Sequence, residues 1–219
     1  PMWRSPDDDT RPVFTAKDQL SSAHQGCRLA LSETAMIFFM GRAVEYVAKQ
    51  YGGCEYPEQF PRFLNRCPIL RLEEPDLCFL DGGRGAPQAA DTVETLAALG
   101  VKTVLCVGMF GAFSPAVSCG EIVAPRRAYV EEGTSLHYYE NIEYAEPDAA
   151  LLNAAARTLG VKTHPIVSTD AVYRQTFYKE ALWRDKGAVG VDMETSAVLS
   201  VSRHLGLRAV AVLMASDIH

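Results

Sequence analysis

The sequence predicts an α/β protein whose mostly parallel sheet carries helices on both faces. Three observations lead there. From Leu77 onward, short apolar runs of strand type alternate with amphipathic segments of helix type. Glycine-bearing loops follow the apolar runs at Asp81 to Pro87 and at Gly108 to Phe113. Three helical segments stop at a glycine: Gly100, Gly160 and Gly206. Strands that alternate with helices pair most simply in parallel, because each crossover helix then packs back on the sheet.

Taken in order, residues 1–20 read as a loose arm rich in Pro, Asp and Arg, and 21–219 as a single domain. Ser32 to Gln50 reads as one helix, ended by Gly52-Gly53. The stretch from Tyr56 to Pro75 contains prolines at 57, 61, 68 and 75 and reads as loop with short strands. Leu77 to Leu80 is a short strand, followed by a helix over Gln88 to Leu99. Val101 to Val107 is apolar enough to be buried on both faces and ends in a glycine-flanked turn, Gly108 to Gly111. A strand begins at Ile122. Asp148 to Leu159 is helical, Val161 to Val167 a strand, and Phe177 to Lys186 helical. Met193, Ala197, Val198, Val201 and Leu205 make an apolar stripe at helical spacing. Leu207 to Ala215 is the last strand. A crevice after a last strand needs a cover, so a further helix is expected beyond His219.

The chain has 219 residues, 48% of them apolar, which suffices for one sizeable core. Its formal net charge of −6 argues against nucleic acid or an anionic membrane surface as partner. No apolar run approaches the roughly 20 residues that span a bilayer. The six cysteines form no C-x-x-C pair and no zinc spacing, so they read as small buried hydrophobes of a reducing, cytoplasmic compartment. No metal site is expected, and the histidines read as structural.

Chemistry concentrates in the loops. Gly83-Arg84-Gly85-Ala86-Pro87 lies between a strand and a helix, where bare backbone N–H groups can meet an anion. It is neither a dinucleotide fingerprint nor a P-loop, since no third glycine and no Gly-Lys-Ser/Thr is present. Ser168 to Arg174 offers hydroxyls, a carboxylate, a ring and a guanidinium. Asp192-Met193-Glu194 opens a helix, and Asp217 leaves the end of the last strand. Two carboxylates in one crevice can divide labour, one holding a sugar hydroxyl and the other protonating a leaving group.

These blocks resemble the nucleoside phosphorylase and nucleosidase superfamily. Gly83-x-Gly85-Ala86-Pro87 is similar to its first glycine loop. Val107 to Phe113 with Pro115, and Gly120-Glu121-Ile122-Val123, are similar to its second loop and the next strand. Val191-Asp192-Met193-Glu194 with Ser216-Asp217 is similar to its sugar and base acids. The resemblance implies a three-layer α/β/α sandwich with a central mixed, mostly parallel sheet. It implies a homo-oligomer, a dimer or trimer of dimers, with sites near subunit contacts. It implies cleavage of a purine nucleoside's N-glycosidic bond through an oxocarbenium-like transition state, as in purine salvage, with no cofactor and with inorganic phosphate as co-substrate. Glu194, Met193 and Asp192 would meet the ribose. Asp217, Tyr173, Val172 and Phe110 would meet the base, with Asp217 and Glu194 catalytic. Gly85, Arg84, Gly108 and Met109 would line the phosphate or nucleophile site.

The departures from the pattern bear on the reaction. Phosphorylases carry an arginine where Cys106 stands, and Ser or Thr where Met109 stands. Their early Gly-Asp-Pro-x-Arg loop is not visible. Arg84, Arg174, Arg126 or Arg42 of a neighbouring subunit are the replacement candidates. Hydrolysis without phosphate, and nucleoside binding without turnover, are the alternatives.

Overall fold

The computed structural model describes residues 10–22, 27 and 29–219. Residues 1–9 of the expected arm lie outside that range. The described part of the arm holds a helix, α1 (Ala16–Ser21), started by a capping box in which Thr15 and Asp18 satisfy each other's backbone N–H. Gln19 on α1 is buried and donates to the Pro61 carbonyl at 2.7 Å.

The reading of Ser32 to Gln50 as one helix is corrected. It splits into strand β1 (Thr34–Phe38) and helix α2 (Ala43–Tyr51). Beta-branched and aromatic residues at Thr34, Ile37 and Phe38 suit a strand buried on both faces, and Arg42, with a φ of 64°, makes the corner between the two. Then follow β2 (Cys54–Glu55), β3 (Ile69–Leu72), β4 (Leu77–Asp81) and helix α3 (Gly85–Ala98). The next strand, β5 (Thr103–Ala112), runs straight through Gly108 to Gly111. The second glycine turn is therefore a strand interior. After it come β6 (Ile122–Val123), β7 (Arg127–Glu131), β8 (Tyr144–Ala145), α4 (Ala149–Leu159) and β9 (Pro165–Thr169). The chain finishes with α5 (Phe177–Asp185), β10 (Gly190–Asp192), α6 (Thr195–His204) and β11 (Arg208–Ile218).

The fold is mixed α/β, with one large sheet flanked by helices, ordered β2-β3-β4-β1-β5-β10-β9-β7-β8, with β11 branching from β5 and β6 pairing on β11. Alternation along the strands sorts the core by face. Ala35 and Ile37 of β1 and Cys78 and Leu80 of β4 pack with Ala89, Val93 and Leu96 of α3 and Val198 and Leu199 of α6. Phe38 and Phe79 turn the other way, toward Val44, Val47 and Ala48 of α2. Val167 and Val191 join Trp183 of α5 in a third cluster. Each fully buried Ile, Leu or Phe here contributes about 1.5–3 kcal/mol.

One feature of the sheet makes the site. Strand β11 runs parallel to β5 along one edge for its whole length. The other edge is shared. Strand β1 pairs in parallel up to Phe38 opposite Val107, and β10 pairs antiparallel from Gly190 opposite Ala112 to Val191 opposite Gly111. The carboxyl ends of β1 and β10 therefore approach each other from opposite directions along the same edge of β5. From Val107 to Gly111 is four steps of about 3.3 Å, an opening of roughly 13 Å. The carboxyl end of β4 lies beside that of β1, because these strands are parallel neighbours.

Candidate active site

Glu194 lies two residues past the end of β10, at this opening. It is the N-cap residue of α6, yet its side chain caps nothing in α6. It reaches instead to the start of α3, where the Gly85 N–H donates to Glu194 Oε1 at 2.6 Å. The helix-start N–H expected to meet a bound anion thus meets the protein's own carboxylate. Glu194 is 8% exposed. Burial, and then the charge of Asp192, push its pKa up to about 7, against the Gly85 and Met193 N–H groups and the nearby Arg84.

The loop before α3 is built to present that N–H. Asp81 Oδ1 accepts from the Gly83 N–H at 2.8 Å, and Gln88 Oε1 accepts from the Arg84 N–H at 2.7 Å. Gly83 has a φ of 91°, and a Cβ there would stand 2.6 Å from the Gln88 side chain, so only glycine fits. Beneath the loop lies Arg62, a buried residue that the sequence reading did not single out. Its Nη1 donates to the Asp81 carbonyl at 3.0 Å and to Thr92 Oγ1 at 3.1 Å. Arg84 itself pairs with Asp81 at 3.2 Å and stays half exposed.

Asp192, expected beside the ribose, turns inward. Its Oδ1 accepts from Ser168 Oγ at 2.5 Å, and its Oδ2 accepts from both the Thr195 N–H, at 3.0 Å, and the Thr195 hydroxyl. Burial pushes its pKa up despite these bonds. Ser168 Oγ in turn accepts from the Ser196 N–H at 2.9 Å, and Ser196 Oγ donates to buried Glu132 at 2.9 Å. The Ser135 N–H and hydroxyl also donate to Glu132. This chain of buried polar groups pins the start of α6, and with it Glu194. The sequence marked its members only by the row of serines along α6 and the Glu131-Glu132-Gly133-Thr134-Ser135 block after β7.

Cys106 lies behind the acids, fully buried. Burial, then the charges of Asp192 and Glu194, hold its thiol well above the ordinary range, so it stays neutral. Met193 is half-buried beside Glu194. Gly108 sits in the opening, where a Cβ would come within 3.2 Å of Leu213. Met109 projects to the α2 face, into a cavity of about 850 Å³ that Phe38, Met40, Arg42 and Tyr46 also line.

The base-side residues are placed differently. Phe110, expected at the base, is 2% exposed and packs in the core on the α3 and α6 face. Val172 and Tyr173 are exposed, Tyr173 by 97%. Asp217 pairs with Gly111 on the far edge of β5, across that strand from Val191. Its side chain is 57% exposed rather than buried at a strand end as expected. Arg126 and Arg174 lie outside the cluster formed by Glu194, Gly85 and Arg84. Asp170 accepts from the Gly133 N–H at 2.7 Å, tying the Ser168 to Arg174 loop to the turn after β7.

The sequence model of the family described as "Phosphorylase superfamily" matches residues 34–219, which cover every part of this opening. The chain belongs to the phosphorylase superfamily. A guanosine phosphorylase of Halorubrum lacusprofundi is 38% identical over 143 residues, 63% of this chain and 59% of that protein. The chain thus spans about three fifths of that relative's length. A uridine phosphorylase of Haemophilus influenzae is 28% identical over 185 residues, 75% of this chain and 72% of that protein. Among solved structures, a uridine phosphorylase of Vibrio fischeri superposes with a TM-score of 0.75 at 25% identity, covering 86% of this chain and 79% of that one. An AMP nucleosidase of Bacteroides thetaiotaomicron shares the fold, with a TM-score of 0.72 at 23% identity over 85% and 79%. In this member of the superfamily, the position of Cys106 carries a neutral thiol at the strand that frames the opening.

Proposed function

We propose that this chain cleaves the N-glycosidic bond of a purine nucleoside by phosphorolysis, giving free base and ribose 1-phosphate. The observation that carries the reading is the buried Glu194 carboxyl, held by the Gly85 N–H with Arg84 alongside. A carboxylate in a dry site stabilises the positive charge that develops on the ribose ring as the bond to the base breaks. It also accepts hydrogen bonds from ribose hydroxyls, with Met193 packing on the sugar. Asp192, its oxygens committed to Ser168 and Thr195, acts on the ribose only through Glu194. Asp217 protonates or hydrogen-bonds purine N7, which makes the base a better leaving group.

Phosphate is the co-substrate in this reading, and Arg84 supplies the cation that Cys106 lacks. Arg84 sits at the mouth of the Gly83 to Gly85 loop, between Asp81 and Glu194. Arg42, in a left-handed corner at the end of β1, is exposed and pairs with Glu45 at 3.5 Å, so it stands free of Asp81 and is offered to a neighbouring subunit's site instead. Arginine is suited to phosphate because its fork donates two hydrogen bonds at once. A hydrolytic second reading is favoured by Cys106 itself, since no charge stands where a phosphate dianion would otherwise be held. The similarity to guanosine and uridine phosphorylases supports the phosphorolytic one.

The exposed Val172, Tyr173, Phe177, Tyr178 and Leu182 form an apolar surface suited to a subunit contact, which fits a homo-oligomer. The free cysteines fit a reducing cytosol. Among the described residues no helix is long and apolar enough to cross a membrane.

The deciding experiment is base release from adenosine, inosine, guanosine and uridine, with and without inorganic phosphate, for wild type and Arg84→Ala. Phosphate-dependent release of purine with ribose 1-phosphate formed, and a loss of phosphate saturation in the variant, supports phosphorolysis through Arg84. Release that ignores phosphate establishes the hydrolytic reading. No release from any nucleoside refutes both.

A further inference from the structure

Asp217 is one end of a three-residue array. His219 Nε2 lies 3.1 Å from Asp217 Oδ2, and His219 Nδ1 lies 3.1 Å from Glu180 Oε1. Asp217 and His219 are two residues apart in extended chain, so they share one face. The His219 N–H donates to the Ala112 carbonyl at 2.9 Å, continuing the ladder of β11 on β5. Gly111 of β5 lies under the pair. A Cβ there would stand 3.4 Å from His219 Nε2 and 3.5 Å from Asp217 Oδ2.

Glu180 fixes the imidazole from behind. It is buried on α5, where Gln175 Nε2 donates to it at 2.8 Å and Arg184 Nη1 at 3.4 Å. Burial alone pushes its pKa up, but the hydrogen bonds from Gln175 and His219 outweigh that and leave it below the ordinary carboxylate range. An ionised Glu180 accepts from Nδ1–H, which turns Nε2 toward Asp217. The charged groups that face the imidazole are Glu180 from α5, with Arg184 behind it, and Asp217 from β11. The loop before α5 offers the Gln175 amide, and β5 offers backbone.

We propose that His219, oriented by Glu180, is the positioning residue of Asp217, aiming its carboxyl at the base. This rests on the reading of Asp217 as the purine acid. In the forward step the Asp217 O–H proton passes to purine N7 as the glycosidic C–N bond breaks and its electron pair leaves with the base. Asp217, 57% exposed, then recovers its proton from water. Glu180 keeps its hold on Nδ1 of His219 throughout.

The test compares full-chain wild type, His219→Asn and Glu180→Gln on three substrates. Inosine needs a proton at N7. 7-Methylinosine already carries the positive charge there, and 4-nitrophenyl β-ribofuranoside has a leaving group that needs no proton. Both variants should lower kcat on inosine by about 10- to 100-fold, within the range for acid assistance. KM on inosine should stay near wild type, and the other two substrates should be cleaved within about twofold of wild type. That retained cleavage also reports an intact fold. Equal loss on all three substrates, or no loss on inosine, overturns the proposal. Wild-type protein that cleaves none of the three overturns the underlying nucleoside reading, an outcome distinct from the other two.

Discussion

Replacing Glu194 by Gln should stabilise the protein at alkaline pH while removing its activity. Burial and the neighbouring Asp192 lift the Glu194 pKa from 4.5 to about 7. The folded state therefore prefers the protonated acid more than the unfolded state does. With the folded pKa raised, the contribution to stability is complete below about pH 4.5 and is lost as pH rises through 7. At about 1.4 kcal/mol per unit, that loss is somewhat over ~3 kcal/mol above pH 8. Glutamine does not titrate and so escapes it. It also weakens the bond from the Gly85 N–H, from charge-assisted to neutral, at a cost of about 1 kcal/mol. The net gain is about 2 kcal/mol at pH 8. In a chain of this length each kcal/mol moves the melting temperature by about 2–4 °C, so Tm should rise by about 4–8 °C at pH 8 and fall slightly at pH 4.5. The two acids titrate as a pair, so Asp192 also feels the removed charge. Thermal melts of both proteins from pH 4.5 to 8.5 supply the check. A Tm difference that does not vary with pH, or a variant less stable at pH 8, would refute the reasoning.

Three further outcomes follow from the same geometry. Gly190→Ala puts a Cβ 2.2 Å from Phe110 Cδ2 and 2.6 Å from the Gly111 carbonyl oxygen, and β5 cannot give way there, so urea unfolding should show a loss of about 3 kcal/mol. Ser168→Ala strips a donor from buried Asp192 and an acceptor from the Ser196 N–H, and should cost about 2–3 kcal/mol in the same assay; a loss below 1 kcal/mol would show that the buried network does not hold α6. Asp217→Asn should lower purine nucleoside cleavage by about 10²-fold or more while sparing pyrimidine nucleosides, and equal losses on both would remove Asp217 from the base site.

Much of this was legible in the sequence because the signals are local. Gly160 ends α4 in the left-handed conformation expected of a C-cap, and Asp148 caps its start. The apolar stripe from Met193 to Leu205 gave α6 and put Glu194 at its N-terminus. The errors came where a local signal was outweighed by packing. Gly108 and Gly111 read as turn residues, but they lie inside β5 because β11 pairs with both and β10 with Gly111. Strand β1 was hidden because a single glycine, Gly41, is the one breaker between it and α2, and the apolar run around it reads as one helix. Phe110 looked available for a base because nothing in its own neighbourhood reveals that Gly190 is bare so as to receive it. Arg62 and Glu180 escaped notice for one reason. Each gains a partner from a segment far along the chain, at Thr92 and His219.

The shared edge of β5 has a consequence for how such a site can change. Its width is not set by the bulk of any lining side chain. It is set by where β1 stops at Phe38 and where β10 stops at Asp192. One more ladder pair on either strand would take about 3.3 Å from the opening. Point substitutions can thus alter which groups line the opening without narrowing it. A single-residue insertion in either strand would shrink it by a quarter, and would also turn every following side chain to the opposite face. The chemistry of this site is free to drift in residue type, while its room is conserved as a count of residues.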